Sequence, residues 1–262
     1  MTRKLKRTPA YELSLEVRDE TFIRPPQDAQ RNWLLNRFLR ESGEDLHALD
    51  AIARRFVPGG QRVLPADMRT ADLSDDEIME DWQLPLMEAM ARIAARPGGD
   101  VLEIGFGRGV LSGMIQRSGV RSHTIIECNP HVLARFERWR DAFPDCDIRM
   151  VPGLWQDMIA SLGVFDAVFF HTYALDEDEA VELLSGSVTF AAGFFSVAAA
   201  HLRPGGVFTY LTNEIDSLGR AHQRLLFEHF SDLRLQRVPL TLPPDVRDAW
   251  WADSMVVIAA VK

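Results

Sequence analysis

The sequence predicts a doubly wound α/β fold: a seven-stranded, mostly parallel sheet that ends in an antiparallel strand pair and is covered by helices from the N-terminal side. Three observations predict it. Short apolar runs alternate with stretches of helical period from residue 100 onward, a glycine-rich turn follows the first of these runs, and the last two runs are joined without a convincing helix.

The elements follow in order. Up to Pro25-Pro26 the chain has a basic start and no period, which reads as a draped arm. Trp33, Leu34, Phe38 and Leu39, then Leu46, Leu49, Ile52, Ala53 and Phe56, recur at helical spacing and predict two amphipathic helices, the second ended by Pro58-Gly59-Gly60. A polar, irregular stretch leads to Ser74-Asp75-Asp76-Glu77, a capping box expected to open a helix through Met79, Trp82, Leu86, Met87 and Met90, interrupted or kinked at Pro85. Residues 1–95 are thus read as an arm and helical lid, and residues 96–262 as the catalytic domain. Within the latter, strands are expected at 100–104, 124–127, 148–151, 165–170, 207–211, 233–238 and 254–259. Helices are expected over 110–115 and 132–136, with a long apolar one between about Glu177 and Leu202, where Arg203-Pro204-Gly205-Gly206 stops it.

Composition narrows the function. The 38 acidic against 29 basic residues leave a net charge of -9, which opposes a polyanionic backbone, so nucleic acid is not an expected partner. No apolar run reaches the roughly 20 residues of a membrane span, and the start Met-Thr-Arg-Lys-Leu-Lys-Arg lacks the apolar segment of a secretion signal, so a cytoplasmic location is expected. Cys128 and Cys146 have no metal-ligand spacing and read as free thiols; no metal is expected. His123 and His131 have no recognisable partner and are read as surface residues, and Asp176-Glu177-Asp178-Glu179 as a solvated helix start.

The chemistry concentrates at Glu103-Ile104-Gly105-Phe106-Gly107-Arg108-Gly109, a turn whose glycines let backbone approach a ligand. Its GxGxG spacing is tighter than the pyrophosphate-seating GxGxxG, and a carboxylate at Glu103 would repel phosphate. The same carboxylate suits the ammonium and sulfonium of S-adenosylmethionine. Glu127, about 20 residues on at a strand end, has the acceptors for two ribose hydroxyls.

With these residues the chain resembles the guanidinoacetate N-methyltransferase family and its arginine-methylating relatives over roughly 78–261. The resemblance rests on Val101-Leu102-Glu103-Ile104-Gly105-Phe106-Gly107, Ile125-Ile126-Glu127-Cys128-Asn129, Gly153-Leu154-Trp155-Gln156-Asp157, Phe165-Asp166 leading to Thr172-Tyr173-Ala174-Leu175, and Leu202-Arg203-Pro204-Gly205-Gly206-Val207. It implies a Rossmann-like class I methyltransferase fold, for which the antiparallel ending is distinctive, and S-adenosylmethionine as cofactor with S-adenosylhomocysteine as product. The implied cofactor site comprises Glu103, Gly105, Phe106, Gly107, Gly109, Glu127 on the ribose, Cys128, Asn129, Leu154, with Trp155 and Gln156 bordering the adenine, His171, and Met87 from a helix closing over it.

In that family a glutamate and an aspartate clamp the guanidinium of the substrate. The matching residues here are Gln83 and His171. An amide and an imidazole suit a neutral or anionic acceptor, and His171 could remove a proton as the methyl transfers. Met79, Trp82, Gln83, Tyr173, Thr212, Asn213 and Glu214 complete the expected substrate site, Glu214 being able to restore a negative charge. The expected reaction is N-methylation of a small molecule in specialised metabolism, guanidinoacetate excluded. The alternatives are an O-methyltransferase acting on a natural-product intermediate and a catalytically silent S-adenosylmethionine-binding partner protein. The sequence fixes no oligomeric state, and a homodimer is compatible with it.

Overall fold

The computed structural model of the chain describes residues 67–172, 174–175, 189–243, 250 and 252–262. The expected arm, the two helices at 33–39 and 46–56, and the acidic run 176–179 lie outside them.

Seven strands form one sheet: β1 (Asp100–Ile104), β2 (Ser122–Glu127), β3 (Ile148–Pro152), β4 (Phe165–Phe170), β5 (Leu202–Tyr210), β6 (Asp232–Pro239) and β7 (Ser254–Val261), in the order β3-β2-β1-β4-β5-β7-β6. The first five are parallel, while β7 runs antiparallel to both β5 and β6. From β1 the chain moves outward to β2 and β3 and then returns to β4, so the order reverses between β1 and β4. A crevice opens at the carboxyl ends of strands at such a reversal. Alternate residues supply two cores: Val101, Ile125, Ala167 and Phe169 face one, and Leu102, Ile104, Val168 and Phe170 the other.

The described helices are α1 (Asp75–Ile78), α2 (Leu84–Ala95), α3 (Val110–Arg117), α4 (Pro130–Arg140), α5 (Trp155–Met158), α6 (Phe195–Ala200) and α7 (Arg220–Phe227). The single helix expected from Ser74 to Met90 is two. Glu77 accepts hydrogen bonds from Ser74 N (2.8 Å) and Oγ (2.7 Å), but α1 stops after one turn, Met79 and Glu80 are extended, and a 3-10 turn over Asp81–Gln83 leads into α2. Pro85 lies in the first turn of α2, where its missing N–H is no loss, so it starts this helix instead of kinking it. α2 buries Leu86, Met87, Met90 and Ala94 in the core shared with β1, β2 and β4. Within the stretch expected to be one helix from 177 to 202, the described part is a 3-10 turn over Phe190–Phe194 followed by α6, and Leu202 already belongs to β5. β5 therefore starts five residues earlier than expected: Leu202 pairs with Phe165 and Val207 with Ala167, the intervening residues forming an irregularity. Neither α5 nor α7 is foreseen in the sequence reading, α5 being a single turn and α7 only two. No described helix is long and apolar enough to cross a membrane.

At the amino ends of β1 and β4 a charge network fixes the strands to each other. Asp166 Oδ2 accepts from Asp100 N (2.8 Å), Arg121 Nη2 (3.1 Å) and Arg203 Nη1 (2.8 Å), while Asp100 accepts from Arg121 Nε (2.7 Å), Ser122 Oγ (2.8 Å) and Arg203 Nη2 (2.8 Å). The bonds from Arg121, with those of Ser122 and Arg203, hold the Asp100 carboxyl well below the usual carboxylate range. This stabilisation is present above the ordinary carboxylate value and is lost as pH falls through and below it. Replacing Asp100 by Asn is expected to lower thermal stability at pH 7 and to flatten its decline between about pH 4 and pH 2, read by calorimetric melting. Asp166→Ala, which deprives the Asp100 N–H of its acceptor, is expected to cost about 1–3 kcal/mol in denaturant unfolding.

Candidate active site

The site is built at the carboxyl ends of β1, β2 and β4. The turn after β1 takes positive φ at Gly105 (90°), Gly107 (56°) and Gly109 (71°), the last capping α3. Gly105 also meets a steric limit: a Cβ there would stand 2.2 Å from the carbonyl oxygen of His171 at the end of β4. Phe106 turns away beneath α4, edge-on to Phe136 and Trp139.

Glu127 ends β2 and ties this turn to it. Its Oε2 accepts from Phe106 N (3.0 Å), and Oε1 from Cys128 N (2.8 Å) and Asn129 N (2.9 Å). A carboxylate has about four acceptor positions, so capacity for a further donor remains chiefly on Oε2. Beside it the half-buried Cys128 thiol is pushed up to about 11 by burial and by the Glu127 charge, which keeps it protonated at neutral pH.

Residues 67–81 lie across these loops as a strap, held by side chains from the loops themselves. Asn129 Nδ2 donates to Met68 O (3.0 Å) and Ala71 O (2.8 Å), Arg108 Nη1 to Met79 O (2.7 Å) and Asp81 Oδ1 (2.8 Å), and Arg135 bonds Leu73 O (2.6 Å) and pairs with Asp75. Strap and turns border a cleft that is partly open to solvent.

Of the residues expected at the site, Met79, Met87, Glu103, Gly105, Phe106, Gly107, Glu127, Cys128, Asn129, Leu154, Trp155 and His171 line this cleft together. Gly109 is spent on the helix cap, and the exposed Gln156 stands outside the lining. Trp82 and Gln83 are buried next to the cleft without lining it, Trp82 Nε1 donating to Glu80. Thr212 is buried and donates to Val256 O, and Glu214 accepts from Gly219 N and contacts His222 Nδ1 at 3.2 Å; these two and Asn213 stand off the cleft, and Tyr173 lies outside the described residues. The sequence reading missed Met68, Leu73, Ile78, Arg108, Phe169, Thr172 and Leu175, all of which line the cleft. Arg108 sits inside the quoted motif, and that position was the available signal. His131 is half-exposed, as expected, but His123 is a correction: it is completely buried, because its ring lies between Glu103 and Gln116.

His171 follows β4, its N–H bonded to Ile104 O (3.0 Å). It is partly exposed to the cleft, yet desolvation by the surrounding protein holds its imidazole down to about 4, so it is neutral across the physiological range.

A sequence profile described as guanidinoacetate N-methyltransferase matches residues 66–234. The chain belongs to this family. The family is one of methyltransferases, for which S-adenosylmethionine is the implied cofactor. Among curated relatives, a protein arginine N-methyltransferase 2 from Emericella nidulans is 34% identical over 113 residues, covering 40% of this chain and 26% of the relative, and one from Eremothecium gossypii is 27% identical over 146 residues, covering 52% and 32%. The matched part thus spans about a third or less of those proteins. Among solved structures, the N-methyltransferase NodS from Bradyrhizobium japonicum covers 70% of this chain and 98% of its own with a TM-score of 0.49 at 13% identity.

The site fits the cofactor on its own geometry. The glycine turn packs its backbone against the end of β4 where a Cβ would collide with the His171 carbonyl, and two carboxylates, Glu103 and Glu127, line the cleft, anions that suit a cationic nucleoside. Glu127→Ala is expected to weaken S-adenosylhomocysteine binding by roughly 10- to 100-fold in calorimetry, the equivalent of losing one or two hydrogen bonds to a charged acceptor. A second expectation concerns pH. Because the folded His171 value lies below the ordinary 6.5 or so, the unfolded chain takes up the proton first, and stability falls as pH drops from about 6.5 towards 4. In His171→Gln, urea unfolding should lose that part of the slope.

Proposed function

We propose that this protein transfers a methyl group from S-adenosylmethionine to a neutral or anionic acceptor atom, preferably nitrogen, of a small molecule, and that guanidines are poor acceptors. The observation that carries this reading is the charge inventory of the cleft. Among its described lining residues the carboxylates are Glu103 and Glu127, both at the cofactor end, while the residue at the acceptor end is His171, kept neutral by desolvation. Gln83 stands where the family has its other carboxylate, and the Glu214 carboxylate is occupied by Gly219 N and His222. A guanidinium entering here would leave its charge and N–H donors without an anionic partner, a loss that typically costs several kcal/mol.

S-adenosylmethionine, when bound, supplies a methyl group made electrophilic by the sulfonium. The protein's part is placement. The glycine turn and Glu127 fix the nucleoside, the strap over 67–81 narrows access of water to the cleft, and neutral His171 lines the acceptor side without adding charge, so that the acceptor's proton leaves to solvent. We infer in the same way that the N-terminal residues extend this cover, and that the enzyme works in the cytoplasm. An oxygen acceptor fits the same site.

The test is comparative. Measure kcat/KM for guanidinoacetate, free arginine and an arginine-containing peptide in the native protein and in Gln83→Glu/His171→Asp, alongside a panel of small amines, azoles and acids read by S-adenosylhomocysteine formation. Guanidine turnover is expected to be lower than that of the best panel member by at least about 100-fold, and to rise in the double variant. Efficient native turnover of any guanidine would defeat the reading.

A further inference from the structure

Behind the glycine turn lies a wholly buried polar cluster that the reaction as described does not use. Glu103 on β1, Ser112 and Gln116 one turn apart on α3, and His123 on β2 are 1%, 0%, 7% and 0% exposed. Ser112 Oγ donates to Glu103 Oε2 at 2.7 Å, His123 Nε2 lies 2.9 Å from the same oxygen in a close contact that is out of line for a regular hydrogen bond, and His123 Nδ1 lies 2.8 Å from Gln116 Nε2. With the Gln116 amide oriented this way its nitrogen donates to Nδ1, which assigns the ring proton to Nε2, on the side of Glu103. Burying four polar groups in a sheet-helix interface costs stability that apolar residues of the same size would not cost. The cluster nevertheless adjoins the cleft, because Glu103 is one of its lining residues.

Both neighbours lie against Oε2: the Ser112 bond holds that oxygen to the protein and the imidazole packs against it at 2.9 Å, which together fix the direction of the other oxygen. We propose that His123 is a positioning residue: with Ser112 it holds Glu103 so that Oε1 receives the ammonium group of the cofactor's amino-acid end. His123 does not itself touch the cofactor. Gln116 completes the arrangement by holding the imidazole in the tautomer that presents Nε2 to Glu103. The two helical residues and the strand residue converge because α3 packs against β1 and β2 directly after the turn, so the element that receives the cofactor also carries the support of its anionic contact.

The proposal rests on the cofactor's amino-acid end lying at Glu103, and two ligands separate the two ideas. S-adenosylhomocysteine carries the ammonium; 5′-methylthioadenosine has the same nucleoside and sulfur without it. By calorimetry, Glu103→Gln, Ser112→Ala and His123→Leu are each expected to weaken S-adenosylhomocysteine by about tenfold or more, while 5′-methylthioadenosine changes by less than about twofold. His123→Gln, whose amide nitrogen can reach the position of Nε2, is expected to restore most of the loss. Should His123→Leu not fold, His123→Asn, whose amide stops short of Glu103, is read in the same way. Equal weakening of both ligands by the His123 variants would make the residue merely structural and overturn the proposal, as would unchanged binding of both. If Glu103→Gln also leaves S-adenosylhomocysteine unchanged, the placement of the amino-acid end fails as well; if Glu103→Gln alone is selective, only the role of His123 fails.

Discussion

The backbone of the turn after β1 touches the end of β4 at position 105, where a side chain would have to occupy the place of the His171 carbonyl. This contact sets the geometry of everything around it. It draws the β1 turn over the point where the strand order reverses, so that the glycine backbone, the Glu127 carboxylate and the His171 ring face one cleft. A residue with a Cβ at 105 would push the turn away from β4 and separate the nucleoside end of the site from the acceptor end. The positive φ of the same residue adds a second reason for glycine.

Polar side chains around the cleft serve two purposes at once. Glu127 accepts three backbone N–H groups, which both completes the β1 turn and keeps an anion at the strand end. Asn129 caps α4 through its oxygen, accepting from His131 N, and holds the strap through its nitrogen. Arg108 belongs to the turn yet binds the strap. Closure of the cleft and ordering of the cofactor loops are therefore coupled through single side chains, and a change in one is felt by the other.

The proposal that guanidines are poor acceptors is an electrostatic one. On the reading proposed above, a planar cation would need anions beside it; among the described lining residues the carboxylates are Glu103 and Glu127, while the His171 imidazole is held neutral. Glu214, the residue that could have compensated, is held by the start of α7.

The sequence by itself determined the strand succession, the antiparallel ending and the anionic strand ends of the cofactor site, because each is encoded locally: apolar runs of strand length, glycines at fixed spacing, a carboxylate at the end of a run. Its errors lie where local signals compete. The helix expected from Ser74 divides at Met79-Glu80, and Pro85, which favours a helix start as readily as a kink, opens the second part; α7 escaped notice because two turns are too short to show a period. The strap was illegible for another reason. Its residues around Met68 and Leu73 carry no pattern, and its course is set by Asn129, Arg108 and Arg135, which are distant in sequence. Only the tertiary structure decided that His123 is buried against Glu103, that Glu214 points to His222, and that His171 is desolvated, since burial and partnership are properties of what the rest of the chain brings to a residue and not of the residue's neighbours in sequence.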